Sequence, residues 1–180
     1  MSPVKRGGPS SGRVRPEKIL IALDDSAGAW QAVEYAGFRF GRLAGVRITL
    51  LHILPDLPPE FWDIGHFLSR AEQQARQRVI DEWEKGQEKK WAALFKKARA
   101  QLVRSGISAA AVRRKFVPGV GDPATEIVDE ARKGRFSTIV IGRGGERQGP
   151  SSPLGGNADR VVRLAWDLNV IVAGAAELLP

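Results

Sequence analysis

The chain has 180 residues, 43% of them hydrophobic, which is enough for one globular domain with its own core and too few for two large ones. It contains no cysteine, which excludes disulfides and thiolate metal sites. The formal charge is +8, and half of that excess lies in the first sixteen residues, which include no acidic residue. No apolar run is long enough for a membrane span and no secretory signal is present, so we expect a cytoplasmic protein.

The N-terminal third begins with a segment that is unlike the rest. Residues 1–16 are rich in Gly, Pro, Ser and Arg and predict a disordered basic tail, followed by a single domain at 17–180. The run KILIALDDS (18–26) predicts a strand buried on both faces. Apolar residues then recur every three or four positions up to Gly45, which predicts a helix. The run VRITLLHIL (46–54) predicts a second buried strand.

The region 57–104 is the hardest to interpret. A helical apolar face runs from Ile64 to Leu102. A single helix over 64–104 would be about 60 Å long at ~1.5 Å per residue, twice the width of a small domain, so we expect a break near Gly86. The first part then projects as a lid or dimer arm, or the whole is a solvated two-part helix; both interpretations stay open.

The second half of the chain alternates regularly. Strands are predicted at AAVRRKFVP (110–118), STIVIG (137–142) and NVIVAGA (169–175). Helices are predicted at GDPATEIVDEARKG (121–134), with Asp122 as N-cap and Gly134 as C-cap, and at ADRVVRLAW (158–166). Five apolar strands separated by helices predict an α/β domain, a doubly wound five-stranded parallel sheet with helices on both faces.

One loop stands out, GRGGERQGPSSPLGGNADRVVR (142–163), because it contains six glycines. Ligands of doubly wound sheets bind beyond the carboxyl ends of the strands, and the helix start after this loop offers free backbone N–H groups to an anion. Glycine-rich turns from strand to helix also occur without a ligand, so the spacing of the glycines has to distinguish a binding loop from an ordinary turn. Gly142, Gly145 and Gly155 are separated by two and nine residues.

This G-x2-G-x9-G spacing before a helix resembles the nucleotide loop of the universal stress protein family. ILIALDDS resembles the family's first strand with its terminal aspartate, ITLLHIL its second strand, and VGDPATEIVDEA the start of its third helix. The resemblance covers residues 18–173 and is weakest over 57–90, where the family itself varies. It implies the Rossmann-like fold of the adenine nucleotide alpha hydrolase type, and a stress-response regulatory module that binds ATP, or AMP or ADP, and is read by a protein partner.

The resemblance also implies residue roles. Asp24 would bind the ribose or adenine side of the nucleotide, the backbone of Ile53 would face the adenine, and Gly142 would pack under the ribose. Magnesium would be held mainly by the phosphates. The backbone N–H groups implied for phosphate binding are those of Gly145, Gly155, Gly156 and Asn157, at the end of the loop and the start of the helix.

One position departs from the family pattern. Gly156 stands where members that bind ATP usually carry Ser or Thr. Either Ser151, Ser152 or the Asn157 amide replaces the missing hydroxyl, or the loop has lost nucleotide binding and kept the fold. Arg143, beside the loop, adds a phosphate contact or solubilises the surface.

Several features favour simple structural roles. His52 has no partner at metal-ligand spacing and is interpreted as a hydrogen-bonded core histidine. No Ser-His-Asp order or acid-base pair appears in the sequence, so slow ATP hydrolysis without a dedicated base is the most it permits. Core packing is expected for the tryptophans on apolar helix faces, which are Trp30, Trp83, Trp91 and Trp166.

Three functions remain in competition. The first is the nucleotide-binding regulatory module, and the second is a nucleotide-free interaction protein of the same fold that acts through its dimer interface. Nucleic-acid binding rests only on the charge of the tail and ranks last. The resemblance implies a homodimer through the last strand, whose exposed apolar edge needs covering in any case.

Overall fold

The computed structural model describes residues 16–58, 68–144 and 154–174. Strands and helices alternate, as predicted. The strands are β1 (Lys18–Ala22), β2 (Arg47–Asp56), β3 (Val112–Gly119), β4 (Thr138–Gly142) and β5 (Asn169–Ala173). The helices are α1 (Ala27–Phe40), α2 (Arg70–Arg104), α3 (Pro123–Gly134) and α4 (Gly156–Leu164). Except for its last residue, the predicted tail lies outside the described residues.

All neighbouring strands are parallel, in the order β3-β2-β1-β4-β5. The chain moves outward from β1 to β3 and then returns to the other side of β1, so strand order reverses between β1 and β4. Buried side chains form one core cluster on the α1 and α2 face and a second on the α3 and α4 face. The predicted five-stranded, doubly wound α/β fold is confirmed, and its crevice is expected at the reversal point.

Helix α2 contradicts the predicted break near Gly86, because it is continuous over 35 residues. A capping box between Ser69 and Glu72 starts it. A Cβ atom on Gly86 would meet nothing within 4 Å, so this glycine is a solvated helix position that costs about 1 kcal/mol and does not end the helix. The buried residues of α2 are Phe95, Ala98 and Leu102, so only its C-terminal half packs into the core.

Two smaller expectations were also wrong. Gly134 is the last helical residue of α3, and Arg135 takes the left-handed conformation at φ 53° instead. Gly134 is needed for space, because a Cβ there would collide with the ring of Phe136. Trp166 is 85% exposed, because α4 ends two residues earlier and leaves it in the turn before β5.

Candidate functional site

A cleft of about 930 Å³ opens at the carboxyl ends of the strands. Loops that follow β1, β2, β3 and β4 line it, together with the first residues of α1, α3 and α4. It contains most of the sequence-predicted site residues, namely Asp24, Ile53, Gly142, Gly155, Gly156 and Asn157. Gly145, with Ser151 and Ser152, lies outside the described residues.

Three helices begin at this cleft, and their N-termini differ. The Ser26 side chain caps α1 by accepting a hydrogen bond from Ala29 N at 3.1 Å. The Asp122 carboxylate caps α3 by accepting from Thr125 N at 3.2 Å. The N-cap of α4 is Gly155, which has no side chain, and no described side chain caps this helix. The first-turn N–H groups of α4 are therefore available to an anion in the cleft, at the positive end of the helix dipole.

The two adjacent glycines at the start of α4 have different reasons to be glycine. Gly155 has φ 86°, a left-handed conformation that strains any residue with a Cβ. Gly156 is already helical, and a Cβ on it would meet nothing within 4 Å. The backbone thus needs a glycine at Gly155, whereas at Gly156 there is room for the hydroxyl that the family pattern places there.

Gly142 is held in a close contact with α1. A Cβ on Gly142 would collide with the backbone of Gly28, in the first turn of that helix. In return, a Cβ on Gly28 would lie 2.6 Å from the carbonyl oxygen of Arg143. The pair lets the start of α1 sit directly on the end of β4, which forms one wall of the cleft. The sequence analysis missed Gly28, whose only signal was a glycine two residues after the N-cap serine.

The charged side chains that line the described part of the cleft are acidic. Asp24, Asp25 and Asp56 line it, and none of its described lining residues is Lys or Arg. One oxygen of Asp24 accepts from Ser26 N at 2.9 Å, and Asp56 Oδ1 accepts from Gly121 N at 3.4 Å. Among the described lining residues the donors suited to an anion are backbone N–H groups and neutral side chains, while the carboxylates are suited to accept hydrogen bonds from hydroxyl groups.

His52 also borders the cleft but belongs to the core. Its Nδ1 lies 2.7 Å from the carbonyl oxygen of Leu23, and its ring packs 4.0 Å from that of Trp91, centre to centre. Burial lowers the pKa of His52 below its ordinary value, against the hydrogen bond to Leu23 and the nearby Asp24 and Asp25. The ring is therefore neutral at pH 7 and donates Nδ1–H to Leu23, so its interpretation as a hydrogen-bonded core histidine is confirmed.

The arginines near the loop have other neighbours. Arg143 is not among the residues that line the cleft, and its guanidinium lies beside Gly174, where a Cβ would be 3.4 Å from Nε. Arg160 forms an ion pair with Asp122 at 2.9 Å, and Arg163 pairs with Asp159 at 2.9 Å. The phosphate contact suggested for Arg143 stays a prediction, and Arg160 joins α4 to the N-cap of α3.

Neither a metal centre nor a membrane segment is found in the ranges that the structure describes. No group of three or more His, Cys, Asp or Glu side chains there is arranged to hold a metal ion. None of the helices there is long and apolar enough to cross a membrane.

The family model of the universal stress protein family matches residues 16–172. This is most of the chain, so the protein belongs to the universal stress protein family. No curated protein sequence matches the chain.

Solved structures of the same family share the fold at low sequence identity. Universal stress protein UspA from Lactobacillus plantarum is 18% identical with a TM-score of 0.58, and the match covers 88% of this chain and 98% of that one. An Arabidopsis thaliana family protein with AMP bound is 16% identical with a TM-score of 0.56, covering 90% and 94%. The Archaeoglobus fulgidus protein in complex with dAMP is 22% identical with a TM-score of 0.51, covering 87% and 97%.

Proposed function

We propose that this protein is a regulatory module that binds an adenine nucleotide, with the phosphates at the N-terminus of α4. The observation that carries the proposal is the difference among the three helix starts in the cleft, since only α4 lacks a side-chain cap among the described residues. An uncapped helix N-terminus that opens into a cleft stabilises a bound anion. The AMP and dAMP bound by the Arabidopsis and Archaeoglobus proteins support an adenine nucleotide as the ligand.

The lining residues suit the parts of such a ligand. Both Asp24, two residues after β1, and Ile53 of β2 line the cleft. Asp24 would accept hydrogen bonds from ribose hydroxyls, and the backbone of Ile53 would face the base. Gly142 leaves the floor between them free of a side chain. The phosphates would take the backbone N–H groups of Gly155, Gly156 and Asn157, joined by Gly145 from the loop outside the described residues.

A magnesium ion would enter with the phosphates when the ligand is ATP. Asp24, Asp25 and Asp56 line the cleft, but the described residues include no group of three that is arranged to hold a metal. The ion would therefore be held mainly by phosphate oxygens, which is the usual way magnesium accompanies a nucleotide. Such an ion would neutralise phosphate charge next to these carboxylates.

Gly156 sets how tightly phosphate is held. A hydroxyl at this position would donate one more hydrogen bond to a charged oxygen, which is worth about 1.5 kcal/mol. The native chain should therefore bind adenine nucleotides about tenfold more weakly than a chain with that hydroxyl. No steric obstacle prevents the substitution, because the position is open.

The test is calorimetric titration of ATP with magnesium, and separately of AMP, into the native chain and two variants. We expect binding to the native chain, about tenfold tighter binding to Gly156→Ser, and unchanged binding to Gly156→Ala, which adds a Cβ without a hydroxyl. If the native chain and both variants give no heat with either nucleotide, the cleft is not a nucleotide site. Heat only for Gly156→Ser would mean that the native chain is the nucleotide-free interaction protein.

We further propose that the protein forms a homodimer through β5. This strand ends the sheet, and no described strand pairs with its outer side. Its central residues Val170, Ile171 and Val172 are apolar but only partly buried. Two further apolar side chains shortly before β5 in the chain are exposed, Val162 of α4 at 41% and Trp166 at 85%. Covering this edge removes both the apolar surface and the unpaired backbone groups from water.

Analytical ultracentrifugation at micromolar concentration tests the dimer. We expect a dimer for the native chain. The substitution Trp166→Glu should raise the dimer dissociation constant at least tenfold, because a charge would be buried in the interface. Val120→Glu is the matched control, since Val120 is 82% exposed and follows β3 at the opposite edge of the sheet. A native monomer, or equal effects of the two substitutions, would contradict an interface at β5.

A further inference from the structure

A second cavity lies between helix α2 and the edge strand β3, and it shares no lining residue with the cleft. Its volume is about 360 Å³, within the range of small-molecule sites. We call it the α2–β3 pocket. It is lined by Leu50 of β2, by Val112, Arg113 and Arg114 of β3, and by Ala92, Phe95, Lys96 and Arg99 of α2.

The floor of the pocket is apolar and nearly free of solvent. Leu50 is 1% exposed, Phe95 3% and Val112 6%, so the pocket reaches the main core. The α2 residues recur at intervals of three and four, which places them on one helix face above the sheet. Ala92 occupies one of these positions with a single methyl group, so its side chain leaves room where a larger apolar residue would fill the gap.

The rest of the lining is cationic. Four of the eight lining residues are Lys or Arg, and none is acidic. Lys115 on β3, by contrast, pairs with Glu130 of α3 at 2.5 Å and does not line the pocket. Within the described ranges, Lys96, Arg113 and Arg114 form no ion pair, and the Arg99 guanidinium donates only to the carbonyl oxygen of Ala109, at 2.8 Å.

We propose that the α2–β3 pocket binds a small amphipathic anion that is free in solution, an organic acid with an apolar body and one carboxylate. The apolar body would enter the gap above Phe95, Leu50 and Val112, so that the ligand's own apolar surface leaves water. The carboxylate would stay at the rim with Lys96, Arg99 and Arg114, which form no ion pair with an acidic residue of the described ranges. This ligand class combines the two properties of the lining, which neither a purely apolar molecule nor an inorganic anion matches.

The hydrogen bond from Arg99 to Ala109 supports a built site. It ties the guanidinium to the single turn of 3-10 helix just before β3, so this charge is held at the rim instead of moving freely in solvent. The edge strand supplies Arg114 on the same face as Val112 and Phe116, the face that packs on α2. Charge is thus supplied from both sides of the pocket.

The experiment titrates octanoate into the full chain, with octanol and octyltrimethylammonium as neutral and cationic probes of the same length. We expect saturable one-site binding of octanoate in calorimetry and saturation-transfer NMR, and much weaker binding of the other two. The double variant Lys96→Gln with Arg114→Gln should weaken octanoate binding about tenfold, because it removes two exposed charge contacts. Ala92→Leu should abolish octanoate binding by filling the pocket.

The charge-matched control is Lys85→Gln with Lys89→Gln, two exposed lysines of α2 that do not line the pocket. It should leave octanoate binding unchanged, and none of the variants should change nucleotide binding. The proposal would be overturned if octanoate did not bind, or if the three probes bound equally. It would also be overturned if the pocket double variant and the control double variant had equal effects on octanoate binding. The cations would then serve to protect the β3 edge from pairing.

Discussion

The cleft and the α2–β3 pocket are each proposed to bind an anion, but by opposite means. The cleft has glycines, three aspartates and the uncapped start of α4, and none of its described lining residues carries a positive charge. Four of the pocket's eight described lining residues are Lys or Arg, its floor is apolar, and none of the eight is glycine. In the first case the donors belong to the backbone, and in the second to side chains.

This difference determines which substitutions matter. Substitutions other than proline leave backbone donors in place, so phosphate binding in the cleft is most vulnerable where the backbone itself depends on glycine, as at Gly142 and Gly155. Side-chain cations can be removed one at a time without disturbing the fold, because exposed charges contribute little to stability. The cleft should therefore respond to substitution through folding and geometry, and the pocket through charge.

The largest effect is expected for Gly142→Ala. The new methyl group would collide with the backbone of Gly28, and backbone cannot move aside as a flexible side chain can. We expect a loss of about 3 kcal/mol in the free energy of unfolding, measured by urea denaturation. Gly156→Ala, fourteen positions later and also in the cleft lining, should change it by less than about 1 kcal/mol, because that position is open. Equal costs would mean that the Gly28–Gly142 contact does not restrict the cleft wall.

The sequence predicted the sheet well for a physical reason. Strands such as β1 and β4 are covered on both faces, so they appear as unbroken apolar runs such as ILIA and TIVI that few other structures produce. Their alternation with helices then restricts the topology to a parallel, doubly wound sheet. The predicted strands also locate the residues that come just after strand ends. Six of the eight predicted site residues line one cleft.

The features that were missed depend on contacts between distant segments. Gly28 and Gly142 meet only after α1 packs on β4, and nothing in the spacing of either segment shows that contact. The α2–β3 pocket joins residues around positions 50, 95 and 113, each of which looks like an ordinary core or surface residue in its own segment. The predicted break at Gly86 failed because helix length was limited to the width of the domain, whereas the N-terminal half of α2 contributes no buried residue.

The smallest effect is expected for Arg160→Gln. This variant tests directly whether the cleft relies on backbone donors and the pocket on side-chain cations. Arg160 is a cation near the cleft, but its guanidinium pairs with Asp122 at 2.9 Å and it does not line the cleft. Removing it should cost about 0.5 kcal/mol in the free energy of unfolding, as for other exposed ion pairs, and should change the nucleotide Kd less than twofold. Titration of AMP into this variant measures the second value.

The informative contrast is with the Lys96→Gln and Arg114→Gln variant at the α2–β3 pocket, where about a tenfold change in octanoate affinity is expected. If Arg160→Gln weakens AMP by tenfold as well, a side-chain cation takes part in phosphate binding and the cleft does not rely on the backbone alone. In that case Arg160 would have to exchange Asp122 for phosphate when the nucleotide binds, and Asp122→Asn, which frees the guanidinium while keeping an N-cap, should tighten AMP binding.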